Sequence, residues 1–256
     1  MSQHRRGFLE GGPFASPTAQ LALLVLIAAL VACAGVNALP PLDRDEARFA
    51  QASAQMLESG DFVTIRFQEN ERNKKPVGIH WLQAASVAAF SSVEAREIWA
   101  YRLPSIVGAV LAVIFTFVAG RALFSVQVAF LGALIMACAP GLAGEATIAK
   151  TDAVLLAAIT AAQACLALLY GAIRKMGPIK SFWAYGFWIA FGLGVLIKGP
   201  IAPLVSGLTI VFLCIRDRSA ALIFALKPIR GLAIVTVIVA PWAVMIGVAT
   251  EGRFFI

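Results

Sequence analysis

Residues Leu39–Pro76 read LPPLDRDEARFAQASAQMLESGDFVTIRFQENERNKKP, and their contrast with the rest of the chain indicates the fold class. They are dense in charge, yet 60% of the chain's residues are hydrophobic and only 14% are charged. Soluble domains carry about 25% charged residues. One apolar run precedes this stretch and several follow it, which predicts an all-α, polytopic helical membrane protein. A membrane protein with so many ionisable groups in one early loop is expected to bind or react there.

Seven apolar runs are close to the ~20 residues that a helix needs to cross the hydrocarbon core. These predicted spans are 19–38, 102–121, 126–142, 153–173, 183–198, 200–215 and 230–249. The apolar stretch Val77–Phe90 is shorter and favours a helix in the membrane interface. The predicted organisation is a cytoplasmic N-terminus (1–18), a first transmembrane helix (19–38), an outer loop with two interfacial helices (39–101) and six further transmembrane helices (102–256).

The distribution of charge sets the orientation. With the N-terminus inside, the inner segments hold ten Lys/Arg and two acidic residues, and the outer segments hold eleven and twelve. Short cytoplasmic loops are expected to be basic in this way. The net charge of +7 and the pI near 9.6 therefore indicate membrane topology, and no nucleic-acid partner is predicted.

The first interfacial helix is predicted from its end signals. Asp43 is a suitable N-cap with Glu46 at position N3, which is a capping-box arrangement. The helix is expected to run to about Ser59 and to stop at Gly60. Acidic residues in a first turn also stabilise the helix dipole whatever the function. Because Asp45 and Glu46 are successive carboxylates, one can cap the helix while the other remains available for catalysis or binding.

Two faces of this helix differ in character. Asp45 and Arg48 are three residues apart and share one face. Another face is spaced to lie on the membrane surface or against other helices. That face consists of Phe49, Ala52, Ser53 and Met56.

Other basic and acidic residues are predicted at the same outer face. Lys75 precedes an interfacial helix that Pro76 is expected to open at N1, and a lysine there suits a phosphate. The alternative is a lysine at lipid headgroups. Asp152 opens a span in AKTDAVLL, and Lys198 lies between apolar runs in VLIKGPIAPL. Ionisable groups at membrane depth are usually functional, although loop residues at a water interface are the other interpretation.

Two consecutive segments, DRDEARFAQASAQMLESGDFV (43–63) and NKKPVGIHWLQAAS (73–86), resemble the bacterial lipid A aminoarabinose transferases and the related protein O-mannosyltransferases. Further matches are TIAKTDAVLLA (147–157), GLGVLIKGPIAPLV (192–205) and PWAVMIGV (241–248). The resemblance covers nearly the whole chain from Leu39 and implies the membrane domain of a C-type glycosyltransferase. Because relatives continue with more spans, the chain is expected to be the N-terminal part of a longer membrane domain.

The resemblance implies transfer of a sugar from a polyprenyl-phosphate donor to lipid A or to a protein. It also implies that the enzyme lies in the lipid bilayer of the bacterial inner membrane, with its active site at the periplasmic face. By that resemblance, Asp45 and Asp152 correspond to acidic residues of the site, Arg48 and Lys75 correspond to its donor-phosphate contacts, and Lys198 lies in a recurrent family motif. Glu46 is predicted as a further catalytic residue and Lys198 as a further donor-phosphate contact. Basic residues would stabilise the leaving phosphate. A carboxylate would stabilise an oxocarbenium-like transition state.

Several alternatives stay open. No nucleotide-phosphate loop is visible, which suits a lipid-linked donor. No metal site is predicted; a divalent cation is left open as a cofactor, without a visible ligand cluster. Relatives commonly have Glu where this chain has Lys74, so any role of that Glu is not carried over. Besides protein O-mannosylation, a transporter or flippase for a lipid-linked anion and a non-catalytic scaffold are the rival classes.

Overall fold

The computed structural model describes residues 16–41, 44–175 and 177–255, and these are mostly helical. Its helices are α1 (Pro17–Cys33), α2 (Arg44–Ser59), α3 (Gly78–Phe90), α4 (Ile98–Leu123), α5 (Val126–Ala137), α6 (Pro140–Ala146), α7 (Asp152–Arg174), α8 (Ser181–Lys198), α9 (Ile201–Asp217), α10 (Ala221–Ala225) and α11 (Pro228–Ala249), with a 3₁₀ turn at Arg253–Phe255. A short antiparallel hairpin, β1 (Arg66–Phe67) and β2 (Asn70–Glu71), lies between α2 and α3. The prediction of an all-α membrane protein is confirmed.

Four of the described helices, α4, α7, α8 and α11, are long and apolar enough to cross a membrane. The predicted span 126–142 corresponds to α5 and α6, two helices bent by 56° at a short break. The predicted spans 19–38 and 200–215 correspond to α1 and α9, each 17 residues long. The number of crossings therefore stays a prediction.

Small residues bring α4 and α7 close together at the centre of the fold. A Cβ on Gly108 would lie 2.9 Å from the carbonyl oxygen of Ala153, so the two backbones nearly touch. Ala109 and Ala112 are buried on the same helix. Close approach through Gly and Ala is typical of membrane helices, where apolar burial alone gives no drive to associate. This contact fixes the beginning of α7 against α4.

The amphipathic helix α2 forms where the sequence predicts it. Its expected face is buried, namely Phe49, Ala52, Ser53 and Met56. The helix ends at Ser59, and Gly60 adopts φ +70°, a left-handed conformation that glycine accepts without strain. The predicted N-cap, Asp43, lies outside the described residues.

The second short helix, α3, lies between α4 and α8. The expectation that Pro76 occupies N1 is wrong, because the Val77 carbonyl is the first to accept helical hydrogen bonds and the helix begins at Gly78. A Cβ at Gly78 would lie 2.7 Å from the carbonyl oxygen of Leu196, so α3 is seated directly on the end of α8. With 13 residues, α3 is too short to span the hydrocarbon core.

Candidate functional site

A buried ion pair joins four parts of the chain beneath the site. Arg102, in the first turns of α4, donates from Nε and Nη2 to the two carboxylate oxygens of Glu46 at 2.7 and 3.0 Å. Its Nη1 donates to the carbonyl oxygens of Val36 and Leu39 at 2.7 and 2.8 Å. The Ala149 N–H donates to Glu46 Oε1 at 2.9 Å. Both charged side chains are 1% exposed, so this pair fastens α2 to the segments after α1 and before α7.

The adjacent carboxylate, Asp45, lies on the open side of α2. Its Oδ1 is 3.4 Å from Nη1 of Arg48 and 3.7 Å from Nη2 of Arg72, and its side chain is 45% exposed. The two successive acids therefore have different surroundings. Glu46 is buried in an ion pair, whereas Asp45 stays accessible between two arginines.

The loop 61–75 carries basic residues to the open side of α2, and its backbone is fixed from two directions. Asn73 Oδ1 accepts the Ile65 N–H at 2.9 Å, which closes the loop on itself beside the hairpin. Trp242 of α11 donates from Nε1 to the Val63 carbonyl oxygen at 3.0 Å. These bonds set where Arg72 and Lys75 lie relative to α2.

Lys75 is at the centre of the charged groups. Its Nζ lies 4.9 Å from the centroid of the Phe49 ring, a cation–π contact with the buried face of α2. Burial lowers the pKa of Lys75, and repulsion from Lys198 lowers it further, while the carboxylates of Asp152 and Asp45 partly oppose this. Lys75 therefore interacts electrostatically with residues from α2, α7 and α8.

Asp152 and Lys198 form an ion pair between the first residue of α7 and the last residue of α8. Their side chains are 38% and 24% exposed, so neither is isolated from solvent. An acid at a helix N-terminus and a base at a C-terminus each complement the helix dipole. The pair can therefore form without large strain, and it leaves the other donor hydrogens of the Lys198 ammonium available for an anion.

Buried polar side chains connect α2 and α3 behind Lys75. Ser53 Oγ donates to Gln83 Oε1 at 2.7 Å and lies 2.9 Å from Nδ1 of His80. Gln83 Nε2 donates to the Ala149 carbonyl oxygen at 3.1 Å. The His80 ring stacks on Phe49 with centroids 5.3 Å apart. Burial lowers the pKa of His80 to about 4, helped by the positive charges of Arg72 and Lys75.

Most of the predicted site residues are brought together by this geometry. Asp45, Arg48, Lys75, Asp152 and Lys198 belong to one electrostatic cluster, which we call the charged cluster. Glu46 points away from it and into the ion pair described above.

Arg72 and Arg102 are additional residues that the sequence did not single out. Arg72 could have been found as one more base beside the lysine pair at 74–75. Arg102 had one signal, a charge at the edge of an apolar run. Nothing in the sequence identifies its partner 56 residues earlier.

An apolar groove of about 620 Å³ starts beside the charged cluster and continues along α7 and α8. Val154 and Ile197 line its near end, close in sequence to Asp152 and Lys198, and Leu168 and Trp183 line its far part. Apolar side chains make up almost all of its wall. Within the described ranges, no group of three or more His, Cys, Asp or Glu side chains could hold a metal ion.

The chain matches known proteins over most of its length. A family model described as dolichyl-phosphate-mannose-protein mannosyltransferase matches residues 22–251. The undecaprenyl phosphate-alpha-4-amino-4-deoxy-L-arabinose arabinosyl transferase of Yersinia enterocolitica is 26% identical over 226 residues, which are 88% of this chain and 40% of that protein. The protein of the same description from Aeromonas salmonicida is 28% identical over 214 residues, 80% of this chain and 38% of its own.

Solved structures agree with these matches. ArnT from Cupriavidus metallidurans, in the apo state and bound to undecaprenyl phosphate, superposes with TM-scores of 0.82 and 0.83 at 25% identity. The superpositions cover 93% and 94% of this chain and 44% of ArnT. The chain thus spans about two fifths of the length of these relatives. The predicted resemblance is confirmed, and the chain belongs to the dolichyl-phosphate-mannose-protein mannosyltransferase family.

Proposed function

We propose that this chain contributes the donor site of a glycosyltransferase that moves a sugar from a polyprenyl phosphate to lipid A or a related envelope acceptor. The observation that carries the proposal is the position of Lys75, held over Phe49 and surrounded by charged groups from three helices and its own loop. Basic groups fixed in a partly dry site suit a phosphate that gains negative charge as it leaves. A relative's name specifies an undecaprenyl-phosphate aminoarabinose donor, which has this chemistry.

Lys75, Arg48 and Lys198 are the proposed donor-phosphate ligands, with Arg72 as a fourth. When the bond between the anomeric carbon and the phosphate oxygen breaks, its electron pair stays on the phosphate, whose charge these cations stabilise. An acceptor oxygen forms the new bond to the anomeric carbon. Asp45 is the accessible carboxylate beside this site.

The role of Asp45 depends on the acceptor. If the acceptor is a hydroxyl, Asp45 takes its proton as a general base. If the acceptor is a phosphate, no proton has to be removed, and Asp45 stabilises the positive charge on the sugar. Asp152 holds the Lys198 ammonium in place through their ion pair. The ion pair between Glu46 and Arg102 fixes the first turn of α2, which carries Asp45, so Glu46 acts as a positioning residue.

The apolar groove supports a lipid-linked donor. It begins next to the Asp152–Lys198 pair and runs along α7 and α8, so a phosphate at the charged cluster could have its prenyl chain in the groove. A soluble nucleotide sugar has no prenyl chain that could occupy such a groove. The bias of basic residues to the predicted inner loops supports a position of this cluster at the periplasmic face of the inner membrane.

Protein O-mannosylation is the second candidate within the enzyme class, favoured by the description of the matching family. A transporter or flippase is the rival of a different class. Transporters usually bind their substrate near the bilayer midplane, between structural repeats. Here the charged residues lie at helix ends, at the first residue of α7 and the last of α8.

The proposal is tested by mass spectrometry of lipid A and of envelope proteins from cells with and without the complete gene. Asp45→Asn and Lys75→Ala should remove a pentose-amine or hexose mass increment that the native gene produces. Lys74→Ala is the matched control, since Lys74 is the exposed neighbour and should be dispensable. Unchanged profiles after loss of the gene would oppose the transferase and favour the transporter or the scaffold.

A further inference from the structure

The polar chain between α2 and α3 has a definite direction. Gln83 Nε2 donates to the Ala149 carbonyl, which orients the amide so that its oxygen faces Ser53. That oxygen can only accept, so the Ser53 hydroxyl uses its single hydrogen to donate to it. The remaining contact of Ser53 Oγ is His80 Nδ1 at 2.9 Å, and there the serine oxygen must accept. The proton of the imidazole is therefore on Nδ1.

This assignment leaves Nε2 of His80 as an acceptor. A neutral imidazole carries one N–H and one lone pair, and here the lone pair is on Nε2. No donor to this atom is found among the described residues. The ring is neutral because burial, with Arg72 and Lys75 nearby, lowers the pKa of His80 to about 4.

The Nε2 acceptor of His80 is important because the charged side chains near it are mainly hydrogen-bond donors. Lys75, which lies over the Phe49 ring on which His80 stacks, and Arg72 offer N–H groups and no lone pairs. The two carboxylates of the charged cluster are ion-paired, Asp45 with the arginines and Asp152 with Lys198, and each brings a negative charge. A sugar beside the phosphate presents hydroxyl or amino groups that need acceptors. A neutral imidazole provides one without a further charge.

We propose that His80 is a donor-sugar ligand, whose Nε2 accepts a hydrogen bond from a hydroxyl or amino group of the sugar on the lipid phosphate. The inference rests on the proposed function and adds to it a residue that discriminates the sugar rather than the phosphate. Ser53 and Gln83 hold the imidazole in the accepting tautomer, and Phe49 holds the plane of its ring.

Two amide substitutions separate the two ring nitrogens. His80→Gln places a polar atom near the position of Nε2 and gives up Nδ1, whereas His80→Asn keeps a donor near Nδ1 and leaves nothing at Nε2. We expect His80→Asn to lose sugar transfer roughly ten- to a hundred-fold, the usual range when one polar contact to substrate is left unmade. His80→Gln should keep most of it. Binding of polyprenyl phosphate without sugar should be equal in both variants and the native protein.

Higher sugar transfer by His80→Asn than by His80→Gln would overturn the proposal. That result is expected if the imidazole has a structural role only, because such a role depends on the hydrogen bond at Nδ1 and not on Nε2. Weakened polyprenyl phosphate binding in His80→Asn would also contradict the proposal. In protein labelled with nitrogen-15 histidine, the His80 resonances are those that the His80→Gln substitution removes. Those resonances should show a neutral, Nδ1-protonated ring from about pH 5 to about pH 8.

The spectrum also separates failure of this inference from failure of the proposed function. Addition of a lipid-linked sugar should shift the Nε2 resonance, and addition of polyprenyl phosphate alone should leave it in place. An Nε2-protonated ring refutes the role of His80 even if the native protein transfers sugar. Absence of transfer by the native protein refutes the proposed function even if the tautomer is as assigned.

Discussion

Replacing Arg102 by methionine tests whether the buried ion pair holds the site together. The change keeps an apolar stem of similar length but leaves Glu46 with one hydrogen bond, from the Ala149 N–H. It also leaves the carbonyl oxygens of Val36 and Leu39 without their donor. Removing one partner of a buried ion pair costs about 3–5 kcal/mol because a charge stays buried and unpaired.

The partner substitution should cost less. Glu46→Gln keeps an oxygen for the Ala149 N–H, and Arg102 keeps its three backbone acceptors, the carbonyl oxygens of Val36, Leu39 and Pro40. We expect a loss of about 1.5–3 kcal/mol, the range for a hydrogen bond to a charged group. Combining Arg102→Met with Glu46→Gln removes the orphaned charge. The double variant should therefore be more stable than Arg102→Met alone, although it carries one more substitution.

The assay is thermal unfolding of the detergent-solubilised protein, followed by tryptophan fluorescence. A loss of 3–5 kcal/mol should lower Tm by roughly 6–20 °C. Arg121→Met is the control on the same helix, since Arg121 is exposed and its guanidinium lies 5.8 Å from the centroid of the Phe117 ring. Strictly additive losses in the double variant would refute the reasoning. So would a Glu46→Gln protein that melts normally but transfers no sugar, because that pattern identifies a carboxylate that touches substrate.

Three further predictions concern α3 and its neighbours. Gly78→Ala should destabilise the protein by about 1–3 kcal/mol, because its Cβ would meet the Leu196 carbonyl at 2.7 Å; Gly132→Ala, with open space around it, should not lower Tm. Since the pKa of Lys75 is lowered by burial and by Lys198, affinity for polyprenyl phosphate should fall as the pH rises, and the fall should begin below the ordinary lysine pKa of about 10.4. Lys75→Arg should remove that decline in a binding titration, because arginine stays charged; an identical decline would assign it to another group. Finally, the pKa of His80 is lowered from 6.5 to about 4, so folding stability is complete above pH 6.5 and falls as the pH drops towards 4, by about 3 kcal/mol. Melting curves across this range should lose that slope in His80→Gln, and an unchanged slope would show that His80 does not cause it.

How far the sequence predicts this structure depends on the range of the interactions involved. The α2 helix, its buried face and its stop at Gly60 follow from local periodicity and capping, and all are observed. The bend between α5 and α6 was not predicted, although Pro140 stands at the first residue of α6. The α3 helix begins two residues after the predicted start, because the Val77 carbonyl is the first to accept helical hydrogen bonds.

The side-chain pairings of the site lie beyond local rules. Nothing in the spacing of Glu46 and Arg102 indicates that they meet, and His80 reads as one isolated histidine. Their partners are set by how α2, α3 and α4 are stacked, which is a property of the whole fold. Charge at the predicted outer ends of apolar runs singled out Asp152 and Lys198, and the resemblance to a family then implied their roles, which periodicity alone could not have done.

The two buried networks meet at one peptide group. The Ala149 N–H donates to Glu46, and the Ala149 carbonyl accepts from Gln83, so α2 and α3 each hold one side of the same residue. Ala149 is fully buried and lies three residues before Asp152. The position of Asp152, and through it that of Lys198, is thus tied to the same two helices that carry Asp45 and His80. Polar groups on separate helices of a membrane protein need such ties, because lipid gives apolar contacts no preference for one register over another. The cost of burying the Glu46–Arg102 pair is consistent with this use, in which an ion pair fixes geometry more than it adds stability.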